Sequence, residues 1–171
     1  PSQHIIDMSE NEIEVPEDYT REELRQDLLC YTSPVLKEDL VLTGDMTAEL
    51  YISSDAPDTD FVVRVTDVDE NGRSVKLADG LLSARYRNGF ARSEFLQEGE
   101  IVCLKIRTTK LSNCFRKGHR IRVTVTSSAK NFIFPNSNTR EGFASARTVV
   151  AHNRVYHGGL HASRLTVRVE P

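Results

Sequence analysis

At 171 residues, with 39% hydrophobic and 27% charged side chains, the chain has the size of one domain and is too short for two independent cores. No apolar run approaches the roughly 20 residues of a membrane helix, and a pI of about 6.0 with basic residues spread along alternating segments argues against a nucleic-acid footprint. The net charge of −3 is unevenly placed: residues 1–27 hold nine acidic side chains against Arg21 and Arg25, a balance of −7, which leaves +4 on the rest.

Residues 1–27 therefore read as an acidic, Pro-interrupted leader that buries little surface of its own and serves as a linker or as a strap laid on another surface. Within it, the stretch YTREELRQDLL sets Thr20 and Glu23 at capping-box spacing, so that a short helix and an extended strap both remain open. No basic stem, apolar core and small-residue cleavage site marks an export signal at the start. Cys30, Cys103 and Cys114 lack C-x-x-C spacing and cannot all pair within one chain, which suits buried thiols in a reducing, cytoplasmic setting.

Residues 28–171 change character. Strict alternation of apolar and polar side chains marks half-buried strands, because successive residues point to opposite faces. In TAELYIS, Ala48, Leu50 and Ile52 share one face; in IVCLKI, Val102, Leu104 and Ile106 do. HRIRVTVTSS aligns Ile121, Val123 and Val125, and SRLTVRVEP turns Leu165, Val167 and Val169 inward. Turn signals separate these segments at Thr43-Gly44-Asp45, Asp69-Glu70-Asn71-Gly72, Gln97-Glu98-Gly99, Arg116-Lys117-Gly118 and Gly158-Gly159. Asn71-Gly72 predicts a hairpin with a type I′ turn. Short strands with turns about every 8–12 residues predict an all-β, antiparallel sandwich or barrel with few or no helices. The stretch FIFPNSNTREGFAS, Phe132 to Ser145, is a loop on composition, either a binding loop or a cover over one end of the sandwich.

Three groups of residues invite a chemical reading. Asp55, Asp58 and Asp60 crowd into SSDAPDTDF, but a calcium loop of the EF-hand kind needs a Gly at its sixth position and a Glu at its twelfth, where this chain has Asp60 and Thr66. The plainer expectation is a turn around Pro57 in which Ser54, Asp55 and Asp58 hold backbone amides as Phe61 enters a strand. His152, His157 and His161 have spacings of five and four, which fit neither a strand face nor a zinc finger. No Gly-x-Ser-x-Gly elbow occurs; GFASA at Gly142 to Ala146 lacks the spacing and the second glycine. No catalytic residue, no metal ligand and no cofactor is expected in this chain.

Four longer stretches carry a family resemblance: YTSPVL at Tyr31 to Leu36, LTGDMTAELYISSDAPDTDFVVRVTDVDENGRSVKLADGLLSARYR at Leu42 to Arg87, LSNCFRKGHRIRVTVTSSAKNFIFPNSNT at Leu111 to Thr139, and VYHGGLHASRL at Val155 to Leu165. Together the chain resembles the C-terminal, non-catalytic domain of X-Pro dipeptidyl-peptidases and cocaine-esterase-like acyl hydrolases, the CocE/NonD group. The resemblance implies a jelly-roll β-sandwich, similar to galactose-binding-like domains. It also implies that the partner is an α/β-hydrolase catalytic domain of the same polypeptide, which supplies the Ser, Asp and His of a triad. The acidic leader would be the connection leaving that domain. His161-Ala162-Ser163-Arg164 departs from the His-Pro-Ser-Arg common in the family, and NFIFPN is longer than its usual counterpart. The parent substrate stays open between an X-Pro peptide, a β-lactam side chain and a simple ester. Within this frame Asp58, Asp60, Asp79, Arg85 and Arg87 are expected to be structural or interdomain polar anchors, and a sandwich parted from its partner is expected to self-associate through an exposed apolar patch. A stand-alone carbohydrate-binding module is the rival, weakened by the absence of Trp and by 7% aromatic content. A calcium-dependent adhesion domain rests on the Asp cluster alone.

Overall fold

A computed structural model describes residues 18–129 and 133–169; most of the acidic leader and Phe132, the first residue of the long loop, lie outside this range. The described residues form an antiparallel β-sandwich. Its strands are β1 (Leu29–Thr32), β2 (Leu40–Gly44), β3 (Thr47–Ser54), β4 (Asp60–Val68), β5 (Ser74–Ser83), β6 (Val102–Arg107), β7 (Leu111–Phe115), β8 (Arg120–Thr126), β9 (Asn153–Gly158), β10 (His161–Ala162) and β11 (Arg164–Thr166). One sheet has the order β1-β8-β4-β5. The other is built on β3, with β6 along one edge; β9 pairs with its last residues and β11 with its first, and β10 pairs with β9. Strands β2 and β7 make a separate two-stranded ribbon.

The core lies where the alternating faces meet. Ala48, Leu50 and Ile52 of β3 join Leu104 and Ile106 of β6 and oppose Phe61 and Val63 of β4 and Val125 of β8. A second cluster forms around Met46, Val65 and Ala78, against which Ile121 and Val167 pack. The expected inward set fails at its last member: Val169 is 52% exposed. Strand β11 ends at Thr166, and Val169 instead bridges Leu42 of β2, so the period that faced the core is broken before it arrives.

Strand β4 was illegible as an alternating strand because both its faces are covered. Phe61, Val63 and Val65 face the core, and Asp60, Val62 and Thr66 on the opposite face are also buried. Two segments meet that outer face. Asn136 from the long loop bonds Asp60, and the chain before β1 crosses at Thr66.

That crossing segment is a strap, and the helix alternative for residues 19–29 reduces to one 3-10 turn, Glu22–Leu24. The capping box does not form. Thr20 gives its N–H and hydroxyl to Asp18 Oδ1, and Glu23, only 8% exposed, turns its carboxylate into the sheet. There it accepts from Thr66 Oγ1 at 3.0 Å, Ser74 Oγ at 2.8 Å and Arg122 Nη1 at 2.6 Å. Two buried hydroxyls and a half-buried guanidinium outcompete one backbone N–H.

The β4–β5 hairpin forms where Asn71-Gly72 placed it, but its turn is not type I′. Among the described residues only Asn138 has positive φ without being glycine, so Asn71 does not adopt the required conformation. The Gly72 N–H donates to the Asp69 carbonyl at 3.0 Å with Gly72 at φ +86°, an ordinary turn closed by a glycine bulge. Asp69 decides the outcome: its carboxylate takes the N–H groups of Asn71 and Arg73 at 2.8 and 2.9 Å, which holds five residues in the loop where a type I′ turn needs four.

Candidate functional site

The three aspartates of SSDAPDTDF do not converge. Asp58, fully buried, accepts the Arg85 backbone N–H at 2.9 Å, Arg85 Nε at 2.7 Å and Asn136 Nδ2 at 2.9 Å. The same Asn136 amide donates to Asp60 Oδ1 at 2.8 Å. Arg85 reaches onward to the carbonyls of Thr139 at 2.8 Å and Arg140 at 3.3 Å, and its guanidinium lies over the Phe95 ring. Asp55 stands apart on the surface and accepts the N–H of His152 at 2.8 Å and its ring Nδ1 at 2.6 Å. Those donors, the backbone N–H foremost, hold the Asp55 carboxyl below the usual carboxylate range. Each carboxylate thus ends on protein donors, and among the described residues no group of three or more His, Cys, Asp or Glu could hold a metal ion.

Arg85 gathers one end of the molecule. Asp58 precedes β4, Arg85 follows β5, and Asn136 to Arg140 belong to the long loop; one charged network ties all three. Gly142 sits beside it at φ +59°, where an added Cβ would lie 3.2 Å from the Arg85 guanidinium nitrogens. Ser137 Oγ donates to the Gly142 carbonyl at 2.8 Å, and Ser137 and Thr139 are buried. The loop is a fixed cover over that end.

The other expected anchors stand elsewhere. Asp79 on β5 accepts Arg64 Nε at 2.7 Å and lies 3.6 Å from Lys76 Nζ, and the Arg64 guanidinium stacks 3.8 Å above the Tyr19 ring of the strap. Arg87 bonds the carbonyls of Ala84 and Glu94 and lies 4.0 Å from the Glu94 carboxylate. The five residues therefore fall into three groups. Sequence reasoning missed Asn136, Glu23 and Arg122, since nothing in a polar residue of a loop or strand edge announces a partner scores of residues away.

The histidines remain separate. Tyr31 Oη meets His157 Nε2 at 2.8 Å across the open seam between β1 and β9, His161 packs edge-on against Tyr51, and His119 Nδ1 pairs with Asp67 at 2.9 Å. In GFASA, Ser145 donates to the Arg147 carbonyl at 2.8 Å from the end of a 3-10 turn. A nucleophilic serine needs a base within hydrogen-bond reach, and Ser145 spends its hydroxyl on backbone. The three cysteines are free, and burial pushes the Cys103 thiol up, away from nucleophilic character. The arrangement can hold loops in place and present a surface.

Residues 7–166 match the family model described as the X-Pro dipeptidyl-peptidase C-terminal non-catalytic domain. Cocaine esterase of Rhodococcus sp. (strain MB1 Bresler) is 37% identical over 150 residues, which cover 85% of this chain and 26% of that protein. Among solved structures, an aminopeptidase from a marine sediment archaeon, Thaumarchaeota archaeon, superposes with a TM-score of 0.86 at 25% identity, over 91% of this chain and 28% of its own. An alpha-amino acid ester hydrolase has a TM-score of 0.85 at 24% identity, over 91% and 27%, a likeness of fold. The chain spans about a quarter of the length of the curated relatives it matches. Its sandwich, with the motifs that fall on β1, β3 to β5, β8 and β9, belongs to the family of X-Pro dipeptidyl-peptidase C-terminal non-catalytic domains.

Proposed function

We propose that this chain is the accessory domain of a serine hydrolase of the X-Pro dipeptidyl-peptidase or acyl-esterase type. It stabilises an α/β-hydrolase domain of the same polypeptide and helps wall its active site, and it performs no bond-breaking step itself. The observation that carries this reading is the match of residues 7–166 to a domain described as non-catalytic and C-terminal. Acyl transfer would then run through a serine nucleophile, a histidine base and an oxyanion hole, all held outside these residues. In this reading Asp58, Asp60 and Arg85 fix the long loop, while Asp79, through Arg64, fixes the strap. Arg87 fixes the segment after β5. A cytoplasmic setting fits three free thiols, and no helix among the described residues is long and apolar enough to cross a membrane.

The test is the mass of the native gene product, taken with a serine-reactive fluorophosphonate label on the same sample. A labelled species far heavier than 19.3 kDa that contains these peptides is the expected result. A native product of 19.3 kDa, or turnover by the 171-residue chain abolished by one substitution within it, overturns the reading.

A further inference from the structure

The two ends of the sandwich differ in what they expose. At one end lie the residues before β4, the segment after β5 and the long loop before β9; at the other lie the β4–β5 and β7–β8 turns. Phe90, Phe134 and Phe143 all belong to the first end, and they are 79%, 81% and 82% exposed. Val150, from the same loop, is 78% exposed. Leu160, in the β9–β10 turn, is exposed away from that end. A groove of about 480 Å³ runs beside the aromatic loop, with the strap residues Gln26 to Leu29 on one wall, Asn138 and His152 on the other, and Phe61 and Val125 in its floor.

Exposed aromatics on a floppy loop would collapse onto the body. Here the loop is held out by a set of polar bonds, three of them partly buried: Asn136 to Asp58 and Asp60 and Arg85 to the Thr139 carbonyl, with Arg85 to the Arg140 carbonyl and Asn138 Nδ2 to the Val149 carbonyl at 2.7 Å beside them. A rigid frame that presents large apolar side chains to solvent loses little entropy when it docks, which is how a standing protein surface is recognised.

We propose that this loop end is the surface that packs against the catalytic domain of the same polypeptide, with Phe134, Phe143 and Val150 as its apolar anchors. The inference rests on the accessory-domain reading above. It commits to that occupant because the family is one of C-terminal domains and the curated relatives are about four times as long as the matched segment. A tethered domain meets this surface at an effective concentration that no free partner matches.

The experiment is hydroxyl-radical footprinting of the full native polypeptide, with each residue's oxidation rate taken relative to its own rate in denaturant. The expected result is several-fold protection of Phe134 and Phe143 over Leu160 in the β9–β10 turn and Leu24 in the strap, which are 91% and 80% exposed. Phe143→Asp in the full polypeptide should restore labelling of Phe134 and lower the unfolding midpoint, while Leu160→Asp changes neither. Equal labelling of all four residues overturns this inference, and if the product is heavy and takes the fluorophosphonate label, the accessory-domain reading still stands. Protection that rises with protein concentration overturns it in favour of a second copy. A native product of 19.3 kDa removes both proposals at once.

Discussion

Asp58 is fully buried, and Arg85 and Asn136 enclose its carboxylate. Removing one partner of such a pair leaves an uncompensated buried ion, so Arg85→Ala should cost about 3–5 kcal/mol of stability in urea denaturation. Asp55→Asn, on an exposed pair, should leave the urea midpoint nearly unchanged. Arg85→Lys keeps the charge but cannot reach Asp58 and two loop carbonyls together, so it should fall between the two. Asp18 tests a different term. The Thr20 hydroxyl, with further donors from the Thr20 N–H and Arg73, holds its carboxyl at about 2 against an ordinary 3.8. Because the folded value lies below the unfolded one, the contribution is fully present above the ordinary value and fades as pH falls through about 2. Asp18→Asn should flatten the acid limb of a denaturation-midpoint profile across that window and leave neutral pH nearly unchanged. Asp58, Asp60 and Arg85 were reached through motif likeness; Asn136 was not, because its two partners lie 78 and 76 residues away in sequence and no local pattern encodes them.

The clean strands were legible. Strands β3 and β6 show a strict period because one face meets the core and the other meets solvent or strand edges. Strand β4 hid because its outer face is roofed by other segments, and the end of the closing run failed because Val169 leaves the sheet for Leu42. Close approach governs β5. At Gly80 an added Cβ would stand 2.6 Å from the Arg107 carbonyl oxygen and 2.9 Å from Ile106 Cγ2, so this glycine lets β5 touch the end of β6. Gly80→Ala should destabilise by about 1–3 kcal/mol through overpacking. Gly158→Ala, with open space around it and an ordinary φ, should be neutral or mildly stabilising; equal losses for the two would refute the steric account. For the strap, Glu23→Ala should speed amide exchange at Tyr19, whose N–H bonds the Ser74 carbonyl, and leave the β4–β8 ladder protected. Strap and ladder exchanging together would show that they form one cooperative unit.

Composition and turn spacing gave the molecule's class, an antiparallel sandwich, but not the difference between its ends, since exposed phenylalanine and buried phenylalanine look alike in a string of letters. That difference has a consequence for the 171-residue chain on its own. With the aromatic end uncovered, its weight-average mass in light scattering should rise with concentration, and Phe143→Asp should bring it toward 19.3 kDa. A strict monomer for both chains would mean that three exposed phenylalanines are too dispersed to form a sticky patch.

The strap also sets a schedule for synthesis. Glu23 bonds residues that lie 43, 51 and 99 positions later, so its carboxylate finds no complete binding place until β8 has left the ribosome. Contacts of that separation close late in folding, and domains complete in the order they are made. A domain made upstream would therefore finish folding before the strap is seated, and residues 18–28 take their course over the sheet only when Arg122, the last side of the Glu23 berth, arrives.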